Sequence, residues 1–285
     1  MTHVAVVTGA TRNLGLALVQ ELARRLTPDD YVYLTGRDQA RTLASLARVV
    51  DARATVEVAR LDVSSGEAVA EFAARLVDRH GGVDIVFSNH YHRTDPQDDP
   101  SSVIDAYVAA NNIGTTHVLR SFPRVLRDGG RLLVVASRAG SLRALAPALH
   151  SRFERLGTLE EVDQAICAWR DVVRNGRAAG QAWPAWINIP SKIGQVAAVR
   201  ALAAQRREHD ARRGIMIAAI SPGLIDTDAS RPWLDMTGAR SPAEAAKPLV
   251  DFALESPLDP AFYGELVHLG EDDGRFGFKS LVPWK

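Results

Sequence analysis

A chain of 285 residues with 46% hydrophobic composition can bury one large core, and α/β domains of this length commonly remain single, so one domain over residues 1–285 is expected. Its 34 basic and 34 acidic residues cancel, which removes any electrostatic reason to expect nucleic acid or an anionic membrane as a partner. Cys167 is the only cysteine, no apolar run approaches the roughly 20 residues needed to span a bilayer, and Met1-Thr2-His3 leads straight into a strand, so a reducing, cytoplasmic setting is expected.

Val4 to Val7 is a run of small and branched apolar residues that predicts a buried strand. It stops at Thr8-Gly9, and a helical pattern runs from near Leu14 to about Leu26. Strand, tight turn and helix N-terminus in that order make an anion site. Glycine lets backbone N–H groups approach a pyrophosphate, and the first helical turn supplies unsatisfied donors and partial positive charge.

The turn reads Thr8-Gly9-Ala10-Thr11-Arg12-Asn13-Leu14-Gly15. It resembles the TGxxxGxG turn of the short-chain dehydrogenase/reductase family, with Asn13 in place of the middle glycine. Asn is the non-glycine residue best able to accept a left-handed backbone, although its side chain reaches toward the pyrophosphate. The resemblance implies a doubly wound parallel α/β sheet of Rossmann type, with Gly9, Thr11, Arg12, Asn13, Leu14 and Gly15 against the cofactor.

Tyr31 to Thr35 predicts a second strand, followed by Gly36-Arg37-Asp38 and a helical stretch to Val50. Just past such a strand an acidic residue accepts from a ribose 2′-hydroxyl, whereas an arginine pairs with a 2′-phosphate. Arg37, with Arg12 beside it, therefore argues for NADP(H) over NAD(H). Asp38 is the alternative ribose ligand if it turns inward.

The third strand, Thr55 to Leu61, ends in Asp62-Val63. The resemblance puts these two residues at the adenine ring; capping the helix after Ser64 is the structural alternative for Asp62. A helix over Glu67 to Arg79 carries Val69, Phe72 and Leu76 on one face and closes at Gly81-Gly82. After a fourth strand, Val83 to Phe87, comes Ser88-Asn89-His90-Tyr91, where the family carries NNAG. Asn89 matches as a cofactor residue, but His90 and Tyr91 bring two large rings into or beside the cofactor space. His90 and His92 have no acidic or cysteine partner at ligand spacing, so no metal is expected.

Helical segments from Ser102 to Arg127 contain Asn111-Asn112-Ile113-Gly114, and Asn111 resembles the family's active-site asparagine, whose usual job is to hold a water between the catalytic lysine and solvent. A fifth strand, Arg131 to Ala136, delivers Ser137 as a catalytic candidate. The stretch from Gly130 to Leu145 resembles the monomeric carbonyl reductase branch. A mostly helical arm follows from Ala146 to Gln181, within an insertion of about 142–187 that ends in Ala182-Trp183-Pro184. In that branch the arm covers the face through which relatives oligomerise, which implies a monomer.

The family's YxxxK motif falls on Asn188-Ile189-Pro190-Ser191-Lys192. Four residues apart on a helix, Asn188 and Lys192 share a face. In the family the tyrosine gives a proton to a carbonyl oxygen, while the lysine lowers its pKa and holds the nicotinamide ribose. Asn188 offers N–H donors but no transferable proton. Losing a general acid costs about 10² to 10⁴ in rate, whereas one oxyanion donor is worth about 10² to 10³. Asn188 therefore suits an enolate better than an alkoxide.

Arg206, Arg207, Arg212 and Arg213 read as a solvated helix face. Gly214 to Ile220 predicts a sixth strand, leading to Pro222, Gly223 and Thr227, which the resemblance sets beside the nicotinamide. Trp233, Leu234 and Met236 form either an apolar substrate lid or a packed surface loop. Ser241, Pro242 and Glu244 open a helix to Glu255, Tyr263 to Leu269 predicts the last strand, and Asp272 to Lys285 carries no clear pattern.

Three functions are compatible with these residues. The first is an atypical NADP(H)-dependent reductase of an activated C=C or C=O in a bulky small molecule, with Ser137 and Asn188 holding the oxygen. The second is a non-redox cyclase, isomerase or dehydratase in which His90, Tyr91 and His92 are the acids and bases. The third is a catalytically silent NADP(H)-binding protein.

Overall fold

The computed structural model describes residues 2–255, 259–272 and 275–285. Eight strands, β1 Val4–Val7, β2 Tyr31–Gly36, β3 Thr55–Arg60, β4 Val83–Ser88, β5 Leu126–Val135, β6 Met216–Ser221, β7 Leu266–Asp272 and β8 Arg275–Val282, form one sheet in the order β3-β2-β1-β4-β5-β6-β7-β8. All pairings are parallel except β7 with β8. Every residue of β1 and β6 is buried, as expected for parallel strands covered on both faces. The helices are α1 Asn13–Arg25, α2 Gln39–Leu46, α3 Gly66–His80, α4 Pro100–Val108, α5 Gly114–Ser121, α6 Leu159–Arg174, α7 Asn188–Arg212 and α8 Pro242–Leu254. This is the doubly wound Rossmann-type fold that the turn after β1 implied.

The ends of α3 and α8 follow the local signals. Ser65 caps α3, Gly81 closes it with φ +76°, and Ser241 and Glu244 form a reciprocal capping box on α8. Other boundaries move. The helical stretch expected to reach Arg127 ends at Ser121, because Phe122-Pro123-Arg124 tightens into a 3₁₀ turn, and β5 starts at Leu126 instead of Arg131. α2 stops at Leu46, short of Val50, and β7 begins at Leu266 rather than Tyr263. The tail without a clear pattern supplies β8, an edge strand whose pairing comes entirely from β7; residues 273–274 lie outside the described residues. Beyond β8, Ser141 Oγ donates to Pro283 O at 2.6 Å and Leu142 N to Trp284 O at 2.9 Å, so the tail clips the start of the arm.

Two of the four arginines at the end of α7, Arg206 and Arg213, are not merely solvated. Arg206 Nη2 lies 2.9 Å from Asp210 Oδ1, a fully buried carboxylate that also accepts from the Tyr263 hydroxyl at 2.7 Å. Arg213 pairs with Asp128.

The arm carries its own aromatic core. The ring of buried Trp169 lies 6.2 Å from Trp183, which in turn sits 6.2 Å from Phe153 at nearly a right angle. α6 packs on α4 and α7, and Ile166 presses so closely on Gly194 of α7 that a Cβ there would collide with it. The strand order reverses between β1 and β4, the point at which doubly wound sheets leave a crevice beyond the strand ends.

Candidate active site

That crevice is a groove of about 850 Å³ lined from the turn after β1, the ends of β2 to β6 and the first turns of α7. At its nucleotide end Gly9 has φ +63° and Asn13 φ +48°, so Asn13 does take the left-handed backbone. The first turn of α1 has no side-chain cap and no acidic residue, which leaves its N–H donors and the positive end of the helix for an anion. Thr11, Arg12, Leu14, Gly15, Arg37, Arg41 and Arg48 line the same wall. These features fit a phosphorylated dinucleotide. Asp38 also lines this wall, and its Oδ1 accepts from Arg41 N at 2.9 Å to cap α2.

Asp62 and Val63 lie along this wall too. Asp62 Oδ1 accepts from the backbone and hydroxyl of Ser64 at 3.0 and 2.7 Å, and the capping role expected as its alternative falls to Ser65. Burial raises the Asp62 pKa, but the Ser64 bonds, with Arg37 and Arg60 nearby, bring it below the usual carboxylate range.

The two rings after β4 part company. His90 is 8% exposed and packs inward, with Nδ1 2.9 Å from Thr8 Oγ1 and Nε2 3.4 Å from Thr115 Oγ1. Burial, with the Lys192 charge behind it, pushes its pKa down to about 3. His90 is therefore a neutral structural group, and neither the acid–base role nor the metal role considered for it holds. Gly9 makes this packing possible, since a Cβ there would lie 2.5 Å from His90 Cα. Asn89 staples the same turn, its Nδ2 donating to Thr8 O and Gly9 O at 3.2 and 3.3 Å. His90 and Tyr91 both line the groove, but Tyr91 is only partly buried.

At the catalytic end α4 passes through a π turn, Ala109–Ile113, that carries Asn111. Asn111 Oδ1 accepts from His92 N at 2.6 Å, and its backbone oxygen accepts from Gln195 Nε2 at 2.7 Å. Lys192 Nζ donates to Val135 O and to Gln195 Oε1, both at 2.9 Å. The Gln195 amide thus joins Lys192 to the Asn111 backbone, where the resemblance implied a water. Burial lowers the Lys192 pKa to about 8, and its ammonium lies 5.8 Å from the centroid of the Tyr91 ring.

The Tyr107 hydroxyl donates to Asn188 Oδ1 at 3.0 Å, which leaves the amide N–H groups as the side chain's donors. Asn188 and Ser137 line one groove with Lys192. Ser137 Oγ accepts from Ala139 N at 3.2 Å and keeps its own proton to give. Pro222, Gly223 and Thr227 form the far wall; Gly223 has φ +78°, and the Thr227 hydroxyl is 2.9 Å from Ser230 Oγ. Over the mouth Trp233 stacks on Trp186 with centroids 5.5 Å apart and planes at 22°, and its Nε1 donates to Thr94 O at 3.0 Å. Leu234 remains 41% exposed at the rim.

Residues 3–148 match the sequence profile of the family described as short chain dehydrogenase. The chain belongs to that family. The matched span ends before α7, so the short-chain dehydrogenase assignment does not depend on Asn188. Over 287 residues the chain is 27% identical to carbonyl reductase [NADPH] 1 of Rattus norvegicus, covering 99% of this chain and 98% of the relative. Among solved structures it resembles salutaridine reductase from Papaver somniferum, with a TM-score of 0.75 and 19% identity over 93% of this chain and 99% of that one. Menthone neomenthol reductase from Mentha piperita gives a TM-score of 0.73 and 18% identity over 94% and 99%. Those two likenesses bear on the fold.

Sequence reasoning missed three residues of this family member's site: Trp186 on the groove wall, and Tyr107 and Gln195 buried behind it. Tyr107 precedes Asn111 by four residues, and Gln195 follows Lys192 by three, so helical spacing alone could have brought both to the site. Trp186 has no local signal; only the path of the arm brings it to the groove.

Proposed function

We propose that the protein is an NADP(H)-dependent reductase of an activated C=C or C=O in a bulky, partly aromatic small molecule. One observation carries the reading: Tyr107 binds the oxygen of Asn188, so position 188 offers N–H donors to a substrate oxygen in a groove suited to a dinucleotide. Arg12 and Arg37 would hold the 2′-phosphate, the uncapped turn of α1 the pyrophosphate, and Asp62 and Val63 the adenine side. When bound, the reduced nicotinamide supplies a hydride. Asn188 and Ser137 then stabilise the negative charge that reaches the oxygen, and conjugate reduction profits most because an enolate needs hydrogen bonds before it needs a proton. The rat relative is named for NADPH, which supports the same cofactor here. The stacked Trp186 and Trp233 at the mouth favour a flat, bulky substrate. With α6 over α4 and α7, the reading carries with it a monomer in the cytoplasm.

The test is a fluorescence titration with NADPH, followed by NADPH consumption with the enone benzalacetone and its saturated ketone benzylacetone. Binding together with faster enone consumption supports the reading; absence of NADPH binding refutes it. A non-redox reaction on the same scaffold draws on one observation, the engagement of Lys192 with Val135 and Gln195. It predicts substrate turnover with no change in NADPH absorbance.

A further inference from the structure

Resting on the reductase reading, we propose that Tyr91 supplies the proton that Asn188 cannot, so that the donor reaches the substrate from the loop after β4 and not from α7.

The argument begins by elimination among the groups at the catalytic end. His90 lines the groove but is nearly fully buried, with both ring nitrogens beside threonine hydroxyls. Lys192 spends two of its N–H groups on Val135 O and Gln195 Oε1 and turns toward the face of the Tyr91 ring. Gln195 also closes the inner route, because an amide that bridges Lys192 and Asn111 O cannot pass a proton along as water does. Tyr107 is fully buried and gives its hydroxyl proton to Asn188. His92 lines the groove, but burial and then the nearby Arg37 charge lower its pKa from the ordinary imidazole value, and its backbone is held by Asn111. Ser137 is a hydrogen-bond donor whose alkoxide is too basic to form. Tyr91 alone among these groups has an acidic O–H, partial exposure and a place on the groove wall.

Its surroundings suit the role. The Tyr91 and Tyr107 rings meet edge to face, with centroids 6.0 Å apart at 83°. Burial raises the Tyr91 pKa, so the proton stays until an oxygen has gained charge, and the Tyr107 hydroxyl pulls the value back when its proton turns from Asn188 to the tyrosinate oxygen. In ketone reduction the C=O π bond breaks as hydride forms the new C–H bond. The Tyr91 O–H bond breaks, and its proton forms the alcohol O–H. The resulting tyrosinate, partly exposed, takes a proton from groove water. With an enone the same transfer gives an enol, which becomes the ketone in water.

The decisive experiment compares the wild type with Tyr91→Phe in NADPH affinity and in the reduction of benzylacetone and benzalacetone. The expected result is unchanged NADPH affinity within about threefold, ketone kcat lower by about a hundredfold or more, and a smaller loss with the enone, whose intermediate Asn188 still supports. The double variant Tyr91→Phe/Asn188→Tyr should recover ketone reduction. A second readout needs no cofactor or turnover. The wild-type minus Tyr91→Phe difference in absorbance at 295 nm against pH isolates ionisation of Tyr91, and in a Tyr107→Phe background that step should move up by about half a pH unit or more. Equal losses for both substrates, a ketone rate within threefold of wild type, a loss that follows His92→Gln instead, or an unmoved ionisation step would each overturn the proposal. Failure of the wild type to bind NADPH would end the reductase reading itself, a result distinct from all of these.

Discussion

His90 makes the sharpest quantitative test of how the cofactor turn is held. Its imidazole is locked neutral between Thr8 and Thr115, with a pKa of about 3 against an ordinary 6.5. The native state therefore binds fewer protons than the unfolded chain between these values. The resulting stability is present in full above pH 6.5 and is lost as pH falls toward 3. At pH 5 the unfolded imidazole is largely protonated and the native one is not, which by linkage costs about 2 kcal/mol relative to pH 7. The perturbation is His90→Gln, since glutamine can hydrogen-bond both threonines but does not titrate. Urea unfolding followed by circular dichroism at pH 7 and pH 5 measures both proteins, and the other titrating groups cancel in the comparison. Wild type should lose about 2 kcal/mol more than the variant over that interval. Equal losses would refute the claim that His90 is held neutral in the fold.

Lys192 gives a slope of the same sign in a higher pH window. Its native pKa near 8 against 10.5 means that the unfolded chain holds a proton the native state has released, so stability rises with pH through this window. Wild type should gain about 2 kcal/mol relative to Lys192→Met between pH 8 and pH 10, and parallel urea curves would contradict it. Arg37→Glu should weaken NADPH binding by about tenfold or more and leave NADH binding less affected; equal effects on both would remove Arg37 from the 2′-phosphate. Trp233→Ala removes the stack on Trp186 and should raise KM for benzalacetone about fivefold with little change in kcat. An unchanged KM would return the loop to a packing role.

Much of the nucleotide end was legible because its signals are local. A strand, a Thr-Gly turn and a helix start are adjacent in the chain, and Asn13, standing where the resembled turn has a glycine, is of the type that accepts the left-handed backbone it adopts at φ +48°. The same holds for the capping box of α8 and the Gly81 stop. Where the reading failed, the deciding partner was distant. His90 was a candidate acid until Thr8 and Thr115 closed on it from two other elements.

The amino-acid order by itself determined the doubly wound fold, the glycine turn with its neighbouring arginines, and a side chain without a transferable proton at position 188, because each depends on residue type and short spacing. Only the tertiary structure decided which way the groups at the groove turn. The ring of His90 is pinned between Thr8 and Thr115 while Tyr91 stays partly exposed on the same groove, Gln195 bridges Lys192 to Asn111, and Tyr107 fixes the Asn188 amide. Orientation of this kind comes from contacts between helices and strands tens of residues apart, and side-chain chemistry alone does not choose among the partners it would accept.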